Sequence, residues 1–204
     1  MKVELVDITE NSAEKIGKSA GICYGKDDDN VMRCEKVVKY RHLSCLRFAY
    51  ATFHISEISR TCSHQLVRHK HLDYLQRSQR YVEEFCPGFV YPKGMPTGDT
   101  AETNSMSQLA RIYLECLRTY KVLLSLGAKK EDARYVLPNA TYTELYVTGN
   151  FEAWHHFIEL RLTKQAQWEI RGVAAGVWSE LYEHCPPVFQ EFTEKHDELF
   201  PKEI

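Results

Sequence analysis

The sequence predicts an α+β fold, a mixed or antiparallel sheet flanked by long helices. Three observations carry this reading. Strand-like segments occur as islands at residues 2–8, 46–55 and 141–148. The stretches between them have helical periodicity, and the regular strand–helix alternation of a doubly wound sheet is absent. At 204 residues, 44% of them hydrophobic, the chain fits one domain, 1–204, with enough apolar side chains for a core without staples.

Residues 2–8 alternate apolar and polar as a half-buried strand does, and Thr9 or Asn11 can cap a helix running to about Cys23. A second helix is expected over 31–40. Residues 46–55 are rich in aromatic and β-branched types (Phe48, Tyr50, Thr52, Phe53, Ile55), and Ser56 before Glu57 is placed to cap a following helix. In that helix Ile58, Cys62 and Leu66 form an apolar stripe, while Arg60, His64 and Arg68 stack along the opposite edge. Residues 86–100 hold three prolines and three glycines, which excludes regular structure and leaves an irregular loop, either a lid or a plain connector. A long helix is expected from about Glu102 to Leu126, ended by Gly127, and a shorter one over 130–135 before Pro138. The remainder after 141–148 reads as helical, with Ile170, Val173, Ala174, Val177, Trp178 and Leu181 on one face.

No apolar run approaches the ~20 residues of a membrane span, and residues 1–7 lack a leader's apolar stretch, so a soluble cytoplasmic protein is expected. Seven scattered cysteines with no C-x-x-C pair suggest reduced thiols. The net charge of −2 conceals a basic block: Lys36, Lys39, Arg41, Arg47, Arg60, Arg68, Lys70, Arg77 and Arg80 face only Glu57 and Asp73 between residues 36 and 80. Such a field favours phosphate-bearing ligands, and the acidic remainder argues against a dedicated nucleic-acid binder. No G-x-G-x-x-G or Walker sequence is present, so side chains and isolated amides must hold any phosphate.

Residues 65–81 are too polar for a core helix and too ordered in composition for a linker. Arginines hold phosphate through paired N–H donors, glutamine reads a pyrimidine edge, and a serine turn offers backbone amides. The run Arg68-His69-Lys70, then Ser78 after seven residues, resembles the Arg-His-Arg signature of flavin-dependent thymidylate synthases. Gln65 before it and Gln79-Arg80-Tyr81 after it fit as well. Two distant blocks add to the likeness. Ala133-Arg134 through Val136-Leu137-Pro138 resembles the family's Ala-Arg-x-Val-Leu-Pro, and Asn150 through Trp154 and His156 to Arg161 resembles its turn and following helix.

The resemblance implies reductive methylation of dUMP, with methylenetetrahydrofolate as carbon donor, reduced FAD as hydride donor and NADPH as reductant. It also implies a homotetramer with shared flavin sites. By the same likeness Gln65, Leu66, Val67, Arg68, Gln76, Arg77, Ser78, Gln79, Arg80, Arg134 and Arg161 contact dUMP. Ser44, Arg68, His69, Lys70, Asn150, Phe151, Glu152 and His156 face FAD. Arg161 stands out independently: on a helix starting near Asn150 it shares the apolar stripe of Trp154, Phe157 and Ile158, where a guanidinium needs an anionic or polar partner. The family's matching arginine polarises the uracil and favours ionisation at N3, which makes Arg161 the catalytic candidate.

Four positions depart from the family pattern. Arg47 replaces an acidic residue, Glu152 an arginine, Lys70 the last arginine of the triplet and Gln165 a histidine. The first two reverse each other's sign, so Arg47 and Glu152 are expected to face one another. The alternatives are hydroxymethylation of dUMP, a non-catalytic nucleotide binder, and a nucleic-acid binder stacking bases on Tyr74, Tyr81 and Phe85. Zinc at Cys62-x-His64 with His69-x-His71 has neither finger nor deaminase spacing, and no metal is assigned.

Overall fold

The computed structural model describes residues 1–84, 88–100 and 103–201. In chain order its elements are β1 (Lys2–Ile8), α1 (Ser12–Gly21), α2 (Asn30–Lys39), β2 (Tyr50–Ser59), α3 (Arg60–Leu66), β3 (Leu72–Gln76), α4 (Ser105–Ser125), α5 (Lys130–Ala133), β4 (Tyr142–Asn150), α6 (Phe151–Arg161), α7 (Trp168–His184), α8 (Pro186–Phe189) and α9 (Thr193–Leu199). The strands form one antiparallel sheet in the order β1-β2-β4-β3, which agrees with an α+β fold. The chain divides into two compact units. The first holds residues 1–55, 65–75 and 146–204, the second 56–64 and 76–145, with the divisions falling inside β2, α3, β3 and β4.

In the first unit the anticipated stripe of α7 is the core: Ile170, Val173, Ala174, Val177 and Leu181 are fully buried. Each large aliphatic side chain removed from water this way contributes about 1.5–3 kcal/mol. Trp154, Phe157 and Ile158 of α6 are buried too, and the Trp154 indole donates to the Ala51 carbonyl (3.0 Å) while meeting the Phe53 ring edge-on. α6 begins where its sequence says it should. The Asn150 side chain accepts from the Ala153 N–H (2.9 Å), a cap that stabilises the helix by about 1 kcal/mol. α1 packs on α2 at Gly17, where any β-carbon would sit 1.7 Å from the Asn30 carbonyl oxygen.

In the second unit α4 starts at Ser105, capped by the Asn104 side chain on the Ser107 N–H (3.1 Å), and gives way to Gly127 at φ +89°. The expected start at Glu102 lies outside the described residues. Tyr113 of α4 is buried against the rings of Phe89 and Tyr91. The irregular segment is tied at Gly88 and Val90, which pair with Tyr142 and Ala140. Cys86 and Pro87 of that loop, and Phe85 before it, also lie outside the described residues.

Three local expectations are corrected. Ser56 does not cap a helix: β2 continues through Ser59, and it is the Ser59 hydroxyl that accepts from the Cys62 N–H (2.9 Å). Ile58 is therefore a buried strand residue, and Arg68 falls beyond the end of α3 instead of on its edge. Leu46 lies in a 3-10 turn, Leu43–Phe48, and not in the strand. β3 lies at residues 72–76, where the sequence pattern predicts no strand.

Candidate functional site

In the second unit the turn after β3 gathers the polar groups expected to meet the substrate. Gln76 is immobilised, its amide donating to the Ser63 hydroxyl (2.9 Å) and the Thr143 hydroxyl (3.0 Å). The N–H groups of Tyr81 and Val82 close on the Ser78 carbonyl, and that of Arg80 on the Ser78 hydroxyl (3.2 Å), so these amides are engaged within the turn. Gln79 is buried. Arg77 points at carboxylates, Nε to the buried Glu84 (3.4 Å) and Nη1 to Glu144 (3.1 Å).

Arg80 and Arg134 converge on Glu131. Arg80 Nε donates to its carboxylate (2.6 Å), and Arg134 Nε to its backbone carbonyl (3.0 Å). Arg80 also lies over the Tyr81 ring, 5.4 Å from its centroid. A further arginine joins them. Burial first, and then the charge of Arg134, hold Arg60 below the usual arginine range, while Glu84 opposes. Arg60 belongs to the basic block but lies outside the site residues that the sequence predicts; its place on the helical edge ahead of His64 is the signal that points to it. A guanidinium disfavoured by burial and by a second cation nearby is relieved by an anion bound beside it.

In the first unit the loop after α3 carries the triplet. Gln65 is half-buried and Leu66 buried, whereas Val67, Arg68 and Lys70 are exposed. His69 turns inward. Its Nε2 lies 3.3 Å from the Ala153 carbonyl, and its ring sits 5.0 Å from that of His156 and 5.4 Å from Phe157. Burial, then the neighbouring His156, push its pKa down to about 4 against the pull of the Ala153 carbonyl. The imidazole is neutral at physiological pH and offers a flat, uncharged face, with Nε2 as the donor to Ala153.

The start of α6 completes this set. The Phe151 ring is fully buried, edge-on to Phe189, and its N–H bonds the Ala49 carbonyl (2.8 Å). Arg47, in the 3-10 turn that also exposes Ser44, pairs with Glu152 through Nε and through Nη2 (3.2 Å). The expected facing of these two residues is thus present. His156 and Gln165 are exposed. At the last residue of α6 the side chain of Arg161 is half-buried, and among the described residues its Nε is one of two buried side-chain atoms without a hydrogen-bond partner; the other is His155 Nδ1. A buried N–H left unmatched costs about 1–3 kcal/mol, so its place beside a neutral histidine points to a ligand that accepts from it.

Among the described residues no three His, Cys, Asp or Glu side chains converge as metal ligands. Cys62 is buried in the core while His64 is exposed. The arginines of the second unit can bind anions, and in the first unit His69 can contact a planar ring and Arg161 can polarise a carbonyl.

Known proteins agree with that repertoire. A flavin-dependent thymidylate synthase of Mycobacterium sp. strain JLS is 35% identical over 187 residues, covering 84% of this chain and 72% of the relative. Enzymes of the same name from Mycobacterium bovis (strain BCG / Pasteur 1173P2) and Mycobacterium tuberculosis (strain ATCC 25177 / H37Ra) are 36% identical over 167 residues, 76% of this chain and 67% of theirs. The family described as thymidylate synthase complementing protein matches residues 4–187, a span that contains the triplet loop, the serine turn, Arg134 and Arg161; the chain belongs to that family.

Proposed function

We propose that residues 1–204 act as one domain of a flavin-dependent thymidylate synthase that methylates dUMP reductively to dTMP. FAD is the cofactor, methylenetetrahydrofolate the co-substrate and NADPH the reductant. The observation that carries this reading is the partnerless buried Nε of Arg161 beside the neutral, buried His69. When bound, reduced FAD supplies the hydride and methylenetetrahydrofolate the carbon.

The chain's own residues bind, orient and polarise. Arg161 Nε donates to a uracil carbonyl, drawing charge from the ring and favouring ionisation at N3. Arg80 and Arg134, with Arg60, suit the phosphate of dUMP, and Gln76 is held rigid by Ser63 and Thr143. The exposed Arg68 and Lys70 suit the pyrophosphate of FAD, and the neutral ring of His69, tilted against that of His156, suits contact with the flavin. Lys70 makes a point contact where an arginine would make a fork.

For the homotetramer, Ile22, Tyr24, Met32, Tyr40 and Phe48 are exposed apolar side chains available to a subunit interface. The free thiols Cys23, Cys34, Cys45, Cys62, Cys116 and Cys185 suit a reducing cytoplasm, and among the described residues no helix is long and apolar enough to cross a membrane.

The test is the visible spectrum of the purified protein after incubation with FAD and desalting, with and without dUMP. A retained flavin spectrum that shifts on adding dUMP, followed by dTMP as the product with folate and NADPH, is the expected result. Failure to bind FAD in a full titration would overturn the reading, and hydroxymethyl-dUMP as the product would move it to the related reaction.

A further inference from the structure

The shape of the triplet loop is set by a residue outside the triplet. Leu66, the last residue of α3, accepts at its carbonyl from the His69 N–H (2.9 Å). Tyr74, on β3, reaches back so that its hydroxyl lies 2.9 Å from the Leu66 carbonyl and 2.9 Å from the His69 carbonyl. One hydroxyl carries one proton, so the two carbonyls share it and are held at a fixed separation.

This loop needs such a tie. His71 sits at φ +68°, a left-handed conformation that costs a non-glycine residue roughly 1–2 kcal/mol. Arg68 and Lys70 are exposed, so packing does little to hold the backbone between Leu66 and His71; His69 alone is buried. Burial, and then Asp73, raise the Tyr74 phenol above its ordinary range while Arg161 opposes. The hydroxyl therefore stays a donor at any physiological pH, and Arg161 is near enough for its charge to be felt.

We infer that Tyr74 is a positioning residue of the flavin site: by tying the Leu66 and His69 carbonyls together it preforms the Arg68-His69-Lys70 turn before FAD arrives. The functional half of this inference rests on the proposed flavin site; the tie itself can be tested with no ligand present. Tyr74→Phe keeps the ring and removes the tie. Tyr120→Phe is the control, since it removes another buried phenol hydroxyl, one that accepts from the Glu84 N–H (3.3 Å) in the other unit.

In the unliganded protein, amide exchange across residues 66–71 should accelerate by roughly tenfold in Tyr74→Phe and stay unchanged in Tyr120→Phe, as the loss of one net hydrogen bond implies. The FAD dissociation constant should rise by a similar factor in Tyr74→Phe alone, because a smaller fraction of the protein is ready to bind. Unchanged exchange at 66–71 overturns the tie. Faster exchange with unchanged FAD affinity, or equal loss of FAD in both variants, overturns the positioning role. A wild-type protein that binds no FAD sinks the proposed function and the positioning role together, and leaves the tie decided by exchange alone.

Discussion

The turn after β3 and the helix α6 both carry arginines assigned to the substrate, but they hold them in opposite ways. In the turn each cation is already matched, Arg77 to Glu84 and Glu144 and Arg80 to Glu131, and Arg134 just after α5 is matched to the Glu131 carbonyl. At the end of α6 the Nε of Arg161 is buried and unmatched. A matched cation is fixed in place and yields to a ligand only by exchange, so its pairing serves order. An unmatched buried donor lowers stability and persists where a ligand repays it.

The largest effect that follows is at Arg161. Arg161→Ala should lower dTMP formation by about a thousandfold or more, as loss of a donor that acts on developing charge does. The same change should leave the thermal midpoint equal to or above that of the wild type, because it removes an unmet buried group. Product formation read beside a melting curve checks both. Near-normal turnover, or collapse of the fold, would show that Arg161 is a structural cation like Arg77 and erase the contrast.

His69 stands on the same side of the comparison, a polar group buried without its charge. Its folded pKa of about 4 lies below the unfolded value of about 6.5, so the unfolded chain takes up the proton more readily. The associated stability is present above pH 6.5 and is lost as pH falls through that window toward 4, by at most about 3 kcal/mol. His69→Asn, which keeps a donor for Ala153 and cannot titrate, should flatten this part of the profile. Urea midpoints at pH 7.5 and pH 5 for both proteins read the difference. Parallel slopes would mean that His69 opens to water and titrates normally.

How far the sequence foretold these two regions follows from how each was patterned. α6 and α7 were legible because their apolar stripes recur every three to four residues and Asn150 marks a start. The junction at residues 56–59 was misread because Ser56 and Ser59 are both good caps, and Ile58 fits either a strand's alternation or a helical stripe. β3 escaped notice as the end strand of the sheet. Leu72 is buried but Leu75 is 80% exposed, so the alternation that signals a strand is broken. For the site, the cations were visible as a basic block, yet no spacing rule told which would be matched. Arg77 and Arg80 differ from Arg161 through Glu84, Glu144 and Glu131, partners that only folding brings to them. Arg60 went unselected for the same reason, since its nearness to Arg134 is a tertiary fact.

In the matched region the comparison predicts effects of opposite sign. Arg80→Ala should raise the KM for dUMP by roughly 10- to 100-fold, the range expected for one charge-assisted phosphate contact. Glu131→Gln removes the carboxylate with which a phosphate must compete, and should lower that KM by no more than about fivefold, because the Arg80–Glu131 pair is largely exposed. Steady-state kinetics at fixed ionic strength distinguish the two. A rise in KM for Glu131→Gln would mean that Glu131 orients Arg80 more than it competes for it.

The smallest effect belongs to the Arg47–Glu152 pair. Arg47 is 61% exposed and Glu152 29%, so their attraction is screened and each can be replaced without loss of the fold. Polarity is not neutral, however, because Glu152 lies in the first turn of α6, where the helix's positive end favours a carboxylate over a guanidinium. Glu152→Arg alone sets two guanidiniums against each other and should weaken FAD binding by up to about fivefold. Arg47→Glu together with Glu152→Arg restores a pair with its polarity exchanged and should return the dissociation constant to within about twofold of the wild type. Recovery in the double variant would show that what matters here is a matched pair, the logic of the turn after β3. Additive losses would place each side chain in separate contact with the flavin, and align this corner of the first unit with Arg161 instead.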